Sequence, residues 1–325
     1  MKRNDNRIGL QELVDGLLFS LQAEGRAIRT IGYYRDLLRP LLGYAQDKGW
    51  SDNLDSWEAQ RLRGFLSWVG SRTYERSIGN GAKRIRKAKP STAWPYYRVL
   101  RRLFNWAVEE GYLESSPVAT IHFKSPPELP MEGYTRDEVQ RLLAVCDWDI
   151  KTGARFTGIR NKAMLLLFID SGVRRAEMVN LRLSDLDLES RRVRVLGKGN
   201  KVGIAPFCVK TAKALWAWLI QRKLRAKTDH LWITEEGQPF SINGLVSWFT
   251  RLKRAGVSSP GGVHRLRHTA ALQYLRGARD SFLLQLFLRH ESLEMSRRYT
   301  KGLKVEEAII AHRNGASPVE GLGLG

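Results

Sequence analysis

Apolar side chains recur every three or four residues along most of the chain, the period of a helix that buries one face. Leu10, Leu13, Val14, Leu17, Leu18 and Leu21 make a first stripe, Tyr33, Tyr34, Leu37, Leu38, Leu41, Leu42 and Tyr44 a second, and Leu62, Phe65, Leu66 and Val69 a third. A fourth helix is predicted from Ser91, read as its N-cap, with Pro95 in the first turn where a missing N–H is tolerated. It places Tyr96, Leu100, Leu103, Phe104 and Ala107 on one side and Arg98, Arg101, Arg102 and Asn105 on the other. The first ~120 residues therefore read as helical throughout, a bundle of four or five helices.

Periodicity lapses after Gly111, and Pro117, Pro126, Pro127 and Pro130 mark a linker. Thr135-Arg136-Asp137-Glu138 has the spacing of a capping box and opens the next helix. Ala163 to Ile169 is apolar on every side, which predicts a buried helix, and Gly172 stops it. Val193–Leu196 and Lys201–Ala205 flank Gly197-Lys198-Gly199-Asn200, the pattern of a β-hairpin. Helical stripes follow at Ala212–Ile220, Leu245–Leu252, Leu266–Leu275 and Phe282–Leu288, with a short piece around Val305–Ile310. The fold class is mainly α with a small β-sheet or hairpin. Its predicted parts are a helical domain at 1–122, a linker at 123–133, an α+β domain at 134–302 and a tail at 303–325.

Charge adds a partner to this picture. The chain has 54 Lys and Arg against 33 Asp and Glu, a net +21 over 325 residues. Residues 1–130 contribute +7 and residues 131–325 contribute +14, so no single tail accounts for the sum. A positive field on a folded chain attracts polyanions. The densest run holds Arg72, Arg76, Lys83, Arg84, Arg86, Lys87, Lys89, Arg98, Arg101 and Arg102 against one acid, Glu75. These residues, with Lys201 beside the second hairpin turn, are the candidate nucleic-acid contacts. Cys146 and Cys208 stand far apart and read as reduced thiols. The longest apolar run is far below the ~20 residues of a membrane span, and the N-terminus leads into no signal-type region, so a soluble cytoplasmic protein is expected.

Nucleotide motifs are missing from the sequence: there is no Walker loop and no dinucleotide fingerprint. His264 and His268 have the spacing of a zinc pair, but Arg265 and Arg267 between them would repel a dication and no Glu is available as base, so no metal is expected. An anion suits them better. His264 and Arg267 share a helix face and present an imidazole and a guanidinium to one point. Arg174 follows the buried helix with Glu177 three residues on, Lys198 sits at the hairpin tip, and His290 precedes Tyr299 by nine residues. His268, which follows Arg267 into the helix body, reads as a core histidine.

Four stretches, Ser171-Gly172-Val173-Arg174-Arg175-Ala176-Glu177-Met178, Gly197-Lys198-Gly199-Asn200-Lys201, His264-Arg265-Leu266-Arg267-His268 and the His290 to Tyr299 segment, resemble the tyrosine recombinase (phage integrase) family. That family's signature is Arg, Lys, His-x-x-Arg, His or Trp, and Tyr in this order. The resemblance implies an N-terminal SAM-like core-binding domain and a C-terminal catalytic domain that close as a C-shaped clamp on duplex DNA. It also implies cleavage and rejoining through a 3′-phosphotyrosyl intermediate: Tyr299 as nucleophile, Arg174 and Arg267 on the phosphate, His264 as base, Lys198 as proton donor to the leaving 5′-oxygen, and His290 hydrogen-bonding the phosphate. Exchanging one phosphoester for another is nearly isoenergetic, so no cofactor and no ATP is implied. Implied partners are two recombination sites, a homo-tetramer on DNA that is monomeric or weakly oligomeric when free, and an accessory DNA-bending protein or a partner recombinase, at the nucleoid. Residues 305–310 would dock on a neighbouring protomer. One departure is Arg289, where the family more often has Gly before the His. Two other readings of the charge and cation set remain: a catalytically silent DNA-binding accessory protein, and type IB topoisomerase-like relaxation.

Overall fold

The leucine stripes of the N-terminal third close on one another in the computed structural model. It describes residues 8–300 except 52, 55, 56, 80, 81, 89, 128–130, 198–200 and 258, so Lys89, Lys198 and the piece expected at 305–310 lie outside the described residues. Residues 1–128 and 129–325 form two compact units. In the first, α1 (Leu10–Ala23), α2 (Ile28–Asp47), α3 (Ala59–Ser71) and α4 (Ala93–Glu109) bury Leu13, Leu17, Leu38, Leu41, Leu62, Phe65, Leu100 and Phe104 completely or nearly so. Each such side chain contributes roughly 1.5–3 kcal/mol of apolar transfer. The Tyr97 hydroxyl donates to the Ile121 carbonyl at 2.9 Å and fastens the segment after α4 back onto it.

Two expectations for this unit are corrected. The stretch is not helical throughout, because β1 (Thr73–Gly79) and β2 (Ala82–Lys87) form an antiparallel hairpin with Thr73 opposite Lys87 and Arg76 opposite Arg84. The signal was local: Asn80-Gly81 between runs holding Thr73, Tyr74 and Ile85, β-favouring residues on either side of a preferred turn pair. Helix α4 also begins later than Ser91 predicts, after a 3₁₀ turn at Pro90–Thr92 that tightens its entry.

The candidate basic residues divide accordingly. Arg72 follows α3 with its guanidinium 4.5 Å from the Trp68 ring centre. Arg76 lies on β1, and Lys83, Arg84, Arg86 and Lys87 lie on β2. On α4, Arg98 and Arg101 are exposed, whereas Arg102 is engaged by Glu24 at 3.0 Å and Glu109 at 3.5 Å.

In the second unit the Thr135–Glu138 capping box forms as predicted and opens α5 (Arg136–Lys151). Helix α6 (Arg155–Ser171) is the buried one, with Ala163, Met164, Leu165, Leu167 and Phe168 at 0–1% exposure. After α7 (Arg175–Asn180) comes a three-stranded antiparallel sheet, β3 (Leu186–Asp187), β4 (Arg192–Leu196) and β5 (Val202–Pro206), with Val193 opposite Ala205. Helices α8 (Val209–Lys223), α9 (Ile242–Gly256), α10 (Val263–Ala278), α11 (Ser281–Leu288) and α12 (Leu293–Thr300) complete it. Leu231, Trp232 and Ile233, which lack any periodic signal, are fully buried, and Trp218 Nε1 donates to the Leu231 carbonyl at 2.9 Å. No helix among the described residues is long and apolar enough to cross a membrane.

Candidate active site

Gly172 turns the chain out of α6 in the left-handed conformation, φ 58°, where a Cβ would stand 3.0 Å from Leu288 Cδ2. Conformation and crowding both require glycine here, and the turn delivers Arg174 to the position just before α7. The Arg174 backbone N–H donates to Glu177 Oε2 at 2.8 Å, and its Nη1 to Glu177 Oε1 at 2.6 Å. Its Nη2 donates to the Arg289 carbonyl at 3.2 Å. Burial works to raise the Glu177 carboxyl, but the Arg174 N–H, the Arg289 charge and the Arg174 side chain outweigh it and hold it below the ordinary carboxylate range. Glu177 is therefore ionised at neutral pH.

Helix α10 supplies one face of the site. Arg267, 3% exposed, donates through Nη1 to the Gly172 carbonyl and through Nη2 to the Leu288 carbonyl at 2.7 Å, so it bridges the ends of α6 and α11. Burial, then Arg174 and Arg289, lower its pKa to about 10, and it stays charged at neutral pH. One turn apart on α10, the rings of His264 and His268 pack edge to face at 4.6 Å. His264 is held below its usual value by desolvation and by Arg267, Arg175, Arg174 and Arg298.

The loop from α11 into α12 supplies the rest. Arg289 ends α11 with φ 54°, a conformation that costs a non-glycine residue about 1–2 kcal/mol. His290 follows, with Nδ1 2.9 Å from the Ser296 hydroxyl, and Tyr299 on α12 is 4% exposed. The Tyr299 hydroxyl lies 2.9 Å from His268 Nδ1, and the His290 ring lies nearly parallel to the phenol at 6.2 Å. Burial raises the phenol pKa while Arg267, Arg298 and Arg174 pull it down.

The structure thus gathers Arg174, His264, Arg267, His290 and Tyr299 from three separate stretches of sequence. Lys198 is outside the described residues. Its neighbours Gly197 and Lys201 line a cavity of ~280 Å³ together with Arg174, Glu177, Arg289 and His290. Three contributors went unselected by sequence reading. His268 is not a core histidine but the hydrogen-bond partner of Tyr299. Its position four residues after His264, on the same helix face, was the available signal. Glu177 was noted only for its place three residues after Arg174, without its second cation, Arg289. Arg289 was read as a departure at a turn, and turns out to send its guanidinium to Glu177 Oε2 at 3.3 Å.

Burial leads the depression of His268 and His290 to about 4; His264, Arg267, Arg298 and Arg265 add to the first, and Arg267, Arg174 and Arg289 to the second. Both are neutral at neutral pH. Because their ordinary value is 6.5, the unfolded chain binds more protons than the folded one between pH 6.5 and 4. Stability is unaffected by them above that window, declines as pH falls through it, and levels off near its lower end. Thermal unfolding followed by circular dichroism should show this decline, and His268→Gln should make it shallower; an unchanged slope in that variant would count against the burial of His268.

Comparison with known proteins places the chain in a family. The sequence profile of the phage integrase family matches residues 133–305. The tyrosine recombinase XerC of Mycobacterium bovis (strain BCG / Pasteur 1173P2) is 29% identical over 281 residues, 85% of this chain and 89% of that protein. The tyrosine recombinase XerC of Xanthomonas campestris pv. campestris (strain B100) is 29% identical over 290 residues, 88% and 83% of the two chains. Among solved structures, the XerH site-specific recombinase bound to its palindromic difH substrate, a post-cleavage complex, aligns with a TM-score of 0.67 at 22% identity over 93% of this chain and 84% of that one. The Tn1549 transposon integrase in complex with transposon right end DNA aligns at 0.70 and 16% identity, covering 95% and 100%. At these identities the structures show a shared fold. The profile match spans more than half of the residues and contains all of the gathered cluster. On that ground the chain belongs to the phage integrase family.

Proposed function

We propose that this chain is a site-specific DNA recombinase, a strand transferase that cleaves and rejoins duplex DNA through a 3′-phosphotyrosyl intermediate. One observation carries the reading: a buried tyrosine whose hydroxyl sits on a neutral histidine, beside two arginines held by main-chain and carboxylate contacts. In the cleavage step Tyr299 Oη forms a bond to phosphorus and the bond from phosphorus to the 5′-oxygen breaks. The phenol proton passes to His268 Nδ1, which is hydrogen-bonded to it and so takes the base role expected of His264, whose ring packs on His268. The 5′-oxygen leaves with a proton assigned to Lys198. Arg267 commits two of its five N–H donors to carbonyls, which leaves three for the non-bridging oxygens. Arg174 adds a second planar fork, and together they meet the charge that builds up in the transition state. His290, tied to Ser296 through Nδ1, offers Nε2 to the same phosphate.

Residues 134–302 are assigned to this chemistry and residues 1–122 to gripping the duplex, through the β1–β2 ribbon, Arg98 and Arg101. Strand exchange between two sites requires four active sites, hence a tetramer on DNA, working at the nucleoid. The test is a nicked suicide duplex, built on a site selected by binding from a random-sequence pool, whose short fragment carrying the freed 5′-hydroxyl diffuses away after cleavage. A covalent protein–DNA band stable to denaturant is expected. Tight, salt-sensitive binding without such a band would favour a silent DNA-binding accessory instead.

A further inference from the structure

We infer that Arg289 is a positioning residue for cleavage: it serves as the standing counter-ion of Glu177, so that the charge of Arg174 is free for the scissile phosphate. The inference rests on the function proposed above. Its starting point is that Glu177 is a buried carboxylate, its side chain 3% exposed, placed between two guanidiniums. Oε1 receives Arg174 Nη1, and Oε2 receives the Arg174 backbone N–H and Arg289 Nη2. An Arg174 paired to Glu177 alone would present almost no net charge, because the carboxylate would cancel it at contact distance. Turning Arg174 fully to a phosphate would then strand a buried anion, which is strongly unfavourable. A second cation on Oε2 removes the conflict.

Arg289 is built to stay where it is. Its side chain is 12% exposed. Nη1 donates to the Phe287 carbonyl at 2.9 Å and reaches the Ser171 carbonyl at 3.5 Å, and Nη2 reaches the Gly172 carbonyl at 3.4 Å as well as Glu177. Its stem runs over Gly203 of β5, where any Cβ would come within 2.6 Å of Arg289 Cδ. The Arg289 carbonyl in turn receives Arg174 Nη2, so the same residue holds the terminal nitrogen that Glu177 does not. A left-handed turn that glycine would occupy without strain instead carries an arginine whose terminal nitrogens are committed within the protein. Those commitments argue against direct contact with DNA and for an action through Glu177 and Arg174.

The experiment uses the full chain and two versions of the nicked suicide duplex, one with the ordinary scissile phosphodiester and one with an uncharged methylphosphonate at the same position. Arg289→Gly suits the backbone and should fold, melting below the wild type because buried acceptors lose a donor, with wild-type DNA affinity. Its adduct formation in a single turnover should be slower by about ten-fold or more on the phosphodiester, the scale of losing one charge contribution to the transition state, and close to the wild-type rate on the methylphosphonate, where there is no anionic oxygen for Arg174 to hold. Adding Glu177→Gln should restore much of the loss on the phosphodiester, since a neutral amide needs no counter-ion. A packing role would instead slow both substrates alike and gain nothing from Glu177→Gln; either result overturns the inference, as does an Arg289→Gly variant that cleaves the phosphodiester at the wild-type rate. A wild-type chain that forms no adduct refutes the function itself, and this inference falls with it.

Discussion

Tyr299→Phe should bind DNA as the wild type does and form no covalent adduct. The substitution deletes one oxygen from a residue that is 4% exposed and packed with Ala270, Leu275, Leu284 and Leu288, and the ring that fills this space is retained. What is lost is the hydroxyl's hydrogen bond to His268 Nδ1, a cost of about 1 kcal/mol in stability that leaves the fold intact. The catalytic loss is of another order. Removing the nucleophile of a covalent mechanism commonly lowers rate by about five orders of magnitude or more, so the denaturant-stable band should vanish while a gel-shift titration is unchanged. An adduct that persists in this variant would move the nucleophile to another side chain.

Arg267→Ala should fail in two ways at once. The Gly172 and Leu288 carbonyls would each lose a charged donor at positions buried from water, at about 1–3 kcal/mol apiece. Against a total stability of about 5–15 kcal/mol, this should lower the melting temperature of the catalytic unit by several degrees. Arg267→Lys separates the two effects. An ammonium keeps the charge and much of the packing but cannot donate as a fork to two carbonyls and to phosphate together. That variant should melt closer to the wild type and still cleave more slowly, by about two to three orders of magnitude. Calorimetry and single-turnover adduct formation check the pair; a lysine variant that cleaves at the wild-type rate would reduce Arg267 to a structural tie.

What the sequence made legible was whatever is decided within a turn or two of chain. The capping box at Thr135, the all-round apolar α6 and its stop at Gly172, and the β4–β5 hairpin are local patterns, and each formed where predicted. The β1–β2 hairpin was equally local, in Asn80-Gly81, but was absorbed into a run of charge. The rest was illegible for a physical reason. Glu177 and Arg289 meet across 112 residues and His268 and Tyr299 across 31, and no periodicity encodes which buried polar groups will pair. Leu231–Ile233 is buried by its neighbours on every side, so it shows neither of the two periods that mark a helix or a strand.

The way Arg267 and Arg289 are fastened has a consequence for how this protein can change. Both are tied to main-chain carbonyls in the interior, where dissolved ions screen little, whereas Arg72, Lys87, Arg98 and Arg101 meet the surrounding electrolyte directly. The proposed grip on DNA and the proposed chemistry therefore answer to different variables. Surface lysines and arginines can be gained or lost to suit a new target or a saltier cell without disturbing the reaction centre, because a carbonyl oxygen belongs to the backbone and is not altered by changing a side chain.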